Sequence, residues 1–141
     1  MQTSDTRLLV SGVMSAVAAI AISTWVMGPA VVGIDVMILV SLLFWWPRRN
    51  LDAFPSLFIW LAVGLQSFHF AEEYATGFYM DFPGLLGYIW SPIRFAAFNL
   101  VWLGLFALGG ALGARFRLAR LPVWLLAVAS VVNGVVHPLM A

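Results

Sequence analysis

The sequence predicts an all-α fold, a polytopic transmembrane helical bundle of about five spans, and three observations carry the prediction. The first is composition: 63% of the 141 residues are hydrophobic and only 9% charged, against about a quarter charged in soluble domains. The second is spacing, because apolar runs close to the ~20 residues needed to cross a hydrocarbon layer recur along the chain. The third is charge placement. All seven basic residues are arginine, and most fall in short connections between the runs, as the positive-inside rule expects of cytoplasmic loops.

The first run, Leu8–Met27, follows a basic residue, which raises the possibility of a cleaved signal peptide. It is longer than the ~7–15 residues of a signal h-region and no small-residue cleavage site follows, so it reads as a retained span. Gly28-Pro29 interrupts the apolar pattern, and the second span runs Ala30–Trp46 up to the break PRRNLDAFP. The third span is Pro55–Gly77. After it comes ATGFYMDFPGLLGYIWSP, whose Phe, Tyr and Trp residues suit the headgroup level and whose position suits a cap over whatever lies beneath. The fourth span, Pro92–Leu112, ends at ARFRLARLP, and the fifth is Leu121–Met140. No linker, repeat or low-complexity tract divides residues 1–141, so the chain reads as one transmembrane domain.

An amino terminus in the cytoplasm puts Arg7, Arg48, Arg49, Arg115, Arg117 and Arg120 inside and leaves only Arg94 outside. The carboxyl terminus of an integral membrane chain of this kind is then expected outside. The net charge of +1 provides no basic tail or patch for nucleic acid. The absence of cysteine removes disulfides, thiolate catalysis and thiolate metal sites, leaving His, Asp, Glu and Asn as candidate ligands.

Polar residues within the spans converge on one depth. At ~1.5 Å of rise per residue, His69 lies about 21 Å and Glu73 about 27 Å above the inner surface on the third span, with His137 near 24 Å and Asn133 near 18 Å on the fifth. Asn99 and Asp35 fall about 20–22 Å above the inner face of a ~30 Å core. On a helical wheel Gln66, His69, Glu72, Glu73 and Gly77 share one face of the third span, and Ser130, Asn133 and His137 share one face of the fifth. An ionised carboxylate at mid-bilayer costs ~2.5–3.5 kcal/mol, so Glu72, Glu73 and Asp35 require protonation, pairing or a metal cation.

His69 and Glu73, one turn apart, are spaced to chelate a divalent ion, with Glu72 as a further ligand or proton carrier and His137 as a second imidazole. Such a nitrogen and oxygen set suits Zn, Fe or Mn. The alternative is a hydrogen-bonded polar knot that holds the third, fourth and fifth spans together. Asn99, Asn133, Asp35 and Gln66 form the expected surrounding shell, though Asp35 also suits a hydrated position at the start of the second span. Phe95, Asn99, Trp102 and Phe106 share a face of the fourth span, where the three aromatic residues either line an apolar substrate pocket or pack as ordinary core. Arg94 reads as a snorkelling anchor. Gly109 and Gly113, with Ser15, Ala19 and Ser23 on the first span, offer small-residue faces for close helix contact.

The segment His69-Phe70-Ala71-Glu72-Glu73, together with Asn99 and the stretch NGVVH from Asn133 to His137, resembles the HXXEE-domain family of small bacterial polytopic membrane proteins. The likeness runs from the third span onward and implies an intramembrane site without naming a reaction. A weaker likeness is to the intramembrane proteases that process prenylated proteins. Their pattern calls for arginine four residues after the second glutamate, where this chain has Gly77.

Three functions follow. The first is a metal-dependent membrane enzyme, hydrolytic or oxidative, acting on a lipidic or hydrophobic substrate, in which His69, Glu73 and His137 hold the ion and Glu72 moves a proton. The second is a metal-free acid–base pocket for isomerisation or hydration of a hydrophobic small molecule. The third is non-enzymatic: a proton- or ion-coupled or lipid-binding protein that meets membrane lipids as its partners.

Overall fold

The structure, a computed structural model, describes the backbone of residues 3–49 and 56–140, and side chains over residues 4–49, 57–81 and 83–135. The fold over those residues is all-helical. Helix α1 (Thr3–Met27) stops at Gly28, whose φ of 76° gives the chain a turn that L side chains rarely adopt. Pro29 then opens a short 3₁₀ turn, Pro29–Val31, that leads directly into α2 (Val32–Arg48). Helix α3 is Ser56–Thr76, α4 is Phe78–Leu85, α5 is Pro92–Leu112 and α6 is Arg120–Met140.

The five long helices lie where the spans are expected, with shifts of a few residues at their ends, but α3 is not among those apolar enough to qualify as a span. The expected start of the third span at Pro55 lies outside the described residues. One element differs in kind: the aromatic connection is not simply extended, because Phe78–Leu85 forms the additional helix α4. Gly77, at φ 81°, ends α3 in the left-handed region and lets α4 begin at the next residue. Helix α5 starts with Pro92 in its first turn and with Ser91 as N-cap, its hydroxyl accepting the Arg94 backbone N–H at 3.2 Å.

Helix α2 packs against α1 and α6, α5 packs against α3 and α6, and α3 also meets α6. The core is largely apolar, and, unlike in a soluble bundle, so are the outer faces. Val10, Val13, Met14, Val17, Ile22 and Trp25 point outward from α1, as do Leu100, Val101, Leu105 and Leu108 from α5, while Ser23, Ser41, Gln66 and Asn99 are buried. Apolar outer faces and polar inner positions are what lipid as solvent selects. By length and hydropathy, three helical segments can cross a membrane, Ser4–Met27, Pro29–Arg48 and Pro92–Leu112, which marks the chain as an integral membrane protein. The described part of α6 up to Val135 is a shorter apolar segment.

Close helix contact depends on small residues, at positions only partly those expected. On α1 the packed face carries Gly12, Ala16 and Ser23, and Ser15 is exposed. A Cβ on Gly12 would lie 2.5 Å from the buried Trp45 ring of α2. Trp45 is held in turn by its indole N–H, which donates to the Arg117 carbonyl at 2.9 Å. Around this end of the bundle Arg49 pairs with Asp5 at 3.3 Å, Arg117 lies 3.9 Å from Asp5, and Arg120 donates to the carbonyls of Gly113 and Arg49. The start of α1, the end of α2 and the α5–α6 connection thus meet at one end. At the other end the Trp90 indole donates to the Met27 carbonyl at 2.7 Å, tying the segment after α4 to the end of α1.

Candidate functional site

Below α4 the helices line a partly open cavity of about 330 Å³, at the lower end of the ~300–1,000 Å³ typical of small-molecule sites. Its aromatic wall is built on α5, where Phe95, Phe98, Trp102 and Phe106 recur at i, i+3, i+7 and i+11. Neighbouring rings touch: Trp102 and Phe106 stack with centroids 6.0 Å apart, and Phe98 meets Trp102 edge-on at 6.1 Å. Tyr79 of α4 stacks on Phe95 at 5.1 Å and Trp90 on the same ring at 6.5 Å, so α4 and the segment after it form the roof. Ala30 and Gly33 near the start of α2, and Ala129 on α6, also line the cavity and withhold side-chain volume from it.

The polar end comes from three helices. Gln66, His69 and Glu73 occupy one face of α3 at i, i+3 and i+7, Asn99 projects from α5, and Asn133 from α6. His69 Nε2 lies 3.1 Å from Asn133 Nδ2 and 3.4 Å from Glu73 Oε1, so one ring nitrogen faces two partners. The His69 and Glu73 side chains are 19% and 15% exposed. Glu72 stands apart. Its carboxylate is 57% exposed, lies 4.0 Å from the other ring nitrogen, Nδ1, and does not line the cavity. A single ion on Nε2 therefore reaches Glu73 but not Glu72 in this arrangement, because the two ring nitrogens point away from each other.

Asn99 is 7% exposed and its Nδ2 has no hydrogen-bond partner among the described residues. Asp35 is elsewhere: it accepts the Thr24 hydroxyl of α1 at 3.0 Å and is not part of the cavity wall. Ser130 is exposed and bonds the Leu126 carbonyl of its own helix. Arg94 is exposed as well. The side chain of His137 lies outside the described residues. Among those described, no group of three or more His, Asp and Glu side chains is placed to hold a metal ion.

The structure thus brings His69, Glu73, Asn133, Asn99, Gln66, Phe95, Trp102 and Phe106 to one cavity and leaves Glu72 and Asp35 beside it. The sequence reading did not single out Tyr79, Trp90 or Phe98. Phe98 was within reach, since it is one turn from Asn99's neighbour Phe95 and from Trp102. Tyr79 and Trp90 enter from a connection whose course no helical periodicity determines. Comparison with known proteins adds no relative: no family model, no curated protein and no solved structure matches the chain.

Proposed function

We propose that this chain is a five-span membrane protein with its amino terminus in the cytoplasm, that its cavity binds a hydrophobic, lipid-like molecule, and that His69 and Glu73 transfer a proton to or from it. One observation carries the reading: a histidine–glutamate pair, with an amide opposite, opens onto the same partly open cavity as a continuous aromatic wall. The wall supplies apolar contact, and its low polarity beside the pair strengthens the electrostatics there. The pair supplies an acid and a base in hydrogen-bond range. The likeness of this segment to the HXXEE motif supports placing the chemistry there.

The test is an incubation of detergent-purified protein with a total membrane lipid extract, read by untargeted mass spectrometry. One apolar species is consumed and one product appears with the native chain, and neither change occurs with Glu73→Gln. An unchanged lipid profile with folded protein removes the enzymatic reading. The orientation is tested separately on this cysteine-free chain. An impermeant maleimide labels Asp81→Cys in intact cells and reaches Ala114→Cys only after permeabilisation; the reverse pattern inverts the topology.

A second reading is favoured by the 3.4 Å between His69 Nε2 and Glu73 Oε1 across one helical turn. Those two atoms, with the Asn133 amide oxygen, would hold a divalent ion of the Zn, Fe or Mn class. Such an ion, when bound, polarises a substrate oxygen. Elemental analysis decides between the readings: stoichiometric metal lost on His69→Ala selects the second, and metal-free protein active in the lipid assay selects the first.

A further inference from the structure

The cavity has a second polar position, one helical turn further from α4 than His69. A Cβ on Gly110 of α5 would lie 2.8 Å from Ile59 of α3, and at the other end Tyr74 of α3 reaches Phe95 of α5 through Tyr79, with ring centroids 5.7 and 5.1 Å apart. The two helices therefore run antiparallel in a fixed register. Counted from either contact at ~1.5 Å per residue, Gln66 on α3 comes within one residue of the level of Trp102 on α5. Both side chains line the cavity and are 5% and 8% exposed. Neither the Gln66 amide nor the Trp102 indole N–H has a hydrogen-bond partner among the described residues, and, unlike the Asn99 nitrogen, neither is occluded by packed atoms. They sit on the inward faces of their helices, so the open surface these polar groups keep is on the cavity side. A buried N–H left unpaired costs about 1–3 kcal/mol, and in a bilayer no water from the lipid side relieves it.

We infer that Gln66 and Trp102 form a ligand-binding subsite that holds an oxygen, of ketone or hydroxyl type, on an otherwise apolar molecule. The indole N–H only donates, whereas the amide both donates and accepts. A ketone oxygen thus accepts from both residues, and a hydroxyl accepts from the indole while donating to the Gln66 Oε1. This deepens the reading above by naming the substrate class, and rests on it for the cavity being a binding site. The class is set by position: the oxygen lies about one helical turn, ~5–6 Å, from the atom that exchanges a proton at His69. Apolar molecules lacking the oxygen fit the same space but leave the donors unpaired, so the site discriminates against them. Rejection of analogues that lack a required polar group is the strong direction of specificity.

The probes are 9-fluorenone and fluorene, which share a rigid apolar skeleton and differ in a carbonyl against a methylene. Binding to the detergent-purified full chain is measured by equilibrium dialysis at matched micelle partitioning. The expected result is fluorenone binding about five- to tenfold tighter than fluorene to the native chain. Gln66→Met keeps an unbranched side chain and Trp102→Phe keeps a ring in the wall, while each removes the polar group. Either substitution alone lowers the preference, and the two together abolish it with both probes still bound. The C=O stretch of bound fluorenone lies below its frequency in empty micelles with the native chain, and returns to that frequency in the double variant. Equal binding of the two probes to the native chain, or a lowered carbonyl band that survives both substitutions, overturns the subsite while the cavity reading stands. Binding of neither probe overturns the cavity as an apolar site and this inference with it.

Discussion

His69 of α3 and Asn133 of α6 meet at 3.1 Å between Nε2 and Nδ2, across 64 residues of chain. The contact accommodates two proton arrangements. In one, Nε2 accepts from the Asn133 amide and the proton of the pair resides on Glu73, 3.4 Å away. In the other, Nε2 is protonated and donates to Glu73, and the Asn133 amide turns its oxygen inward. The two arrangements differ by one proton transfer inside the cavity, which is the step an acid–base site requires.

The same contact fastens α3 to α6, so it has a measurable share in stability. Interhelical polar contacts in membranes contribute on average ~0.6 kcal/mol and up to ~1.7 kcal/mol. A double-mutant cycle on His69→Phe and Asn133→Leu, followed by unfolding in mixed micelles, is expected to return a coupling energy within that range. Additive single-mutant effects would mean that the two side chains do not interact.

The adjacent glutamates are expected to behave differently despite identical chemistry. Glu73 faces Nε2 and the cavity; Glu72 is 57% exposed beside Nδ1. Glu73→Gln is expected to slow the conversion detected in the lipid extract by ~10²–10⁴-fold, the usual contribution of a general acid or base. Glu72→Gln should stay within about fivefold of the native rate, as loss of an exposed ion pair worth under ~1 kcal/mol implies. Equal losses at both positions would place the chemistry on the motif as a unit and not on the cavity face.

Much of this was readable in the sequence where one helix decides the outcome. The period of α3 put Gln66, His69 and Glu73 on one face, and the period of α5 grouped Phe95, Asn99, Trp102 and Phe106; the structure places each group on one wall. Glu72 marks the limit. On an ideal wheel it sits beside Glu73, yet a rotation of about 100° per residue is enough to separate a cavity-facing side chain from an exposed one. Asp35 marks another: its depth suggested the polar layer, but depth leaves the azimuth open, and Asp35 turns to Thr24 of α1. Tyr79 and Trp90 reach the site through α4 and the Trp90–Met27 bond, tertiary relations that no local pattern encodes.

Helix contact also gives the glycines of α5 opposite expectations. A Cβ on Gly109 would lie 2.8 Å from the Ala119 carbonyl oxygen and 3.0 Å from Val123, and a backbone oxygen cannot step aside as a flexible side chain can. Gly109→Ala is therefore expected to destabilise by about 1–3 kcal/mol through overpacking at the α5–α6 contact. A Cβ on Gly104 meets nothing within 4 Å. Gly104→Ala should gain up to ~1 kcal/mol from helix propensity alone. Unfolding midpoints in one detergent compare the two, and a neutral Gly109→Ala would show that α5 and α6 are not in close contact there.

Gly33 tests whether the cavity itself matters. It lines the cavity near the start of α2, has ordinary helical φ, and a Cβ added there faces open space. Gly33 is exposed at the cavity's edge, so a large side chain there extends across its rim without displacing packed neighbours. Gly33→Leu is accordingly expected to leave the unfolding midpoint unchanged or raise it by the equivalent of up to ~1 kcal/mol, because glycine is a poor helix former. The same substitution removes space that an apolar ligand needs, and its binding should weaken by about tenfold or more, as intrusion into a small filled site costs ~1–3 kcal/mol. Equilibrium dialysis of the detergent-purified chain with 9-fluorenone, a rigid apolar probe, and a thermal unfolding scan on the same preparation measure both quantities. Stability kept with affinity lost identifies this space as the binding site; affinity kept places the ligand elsewhere on the bundle.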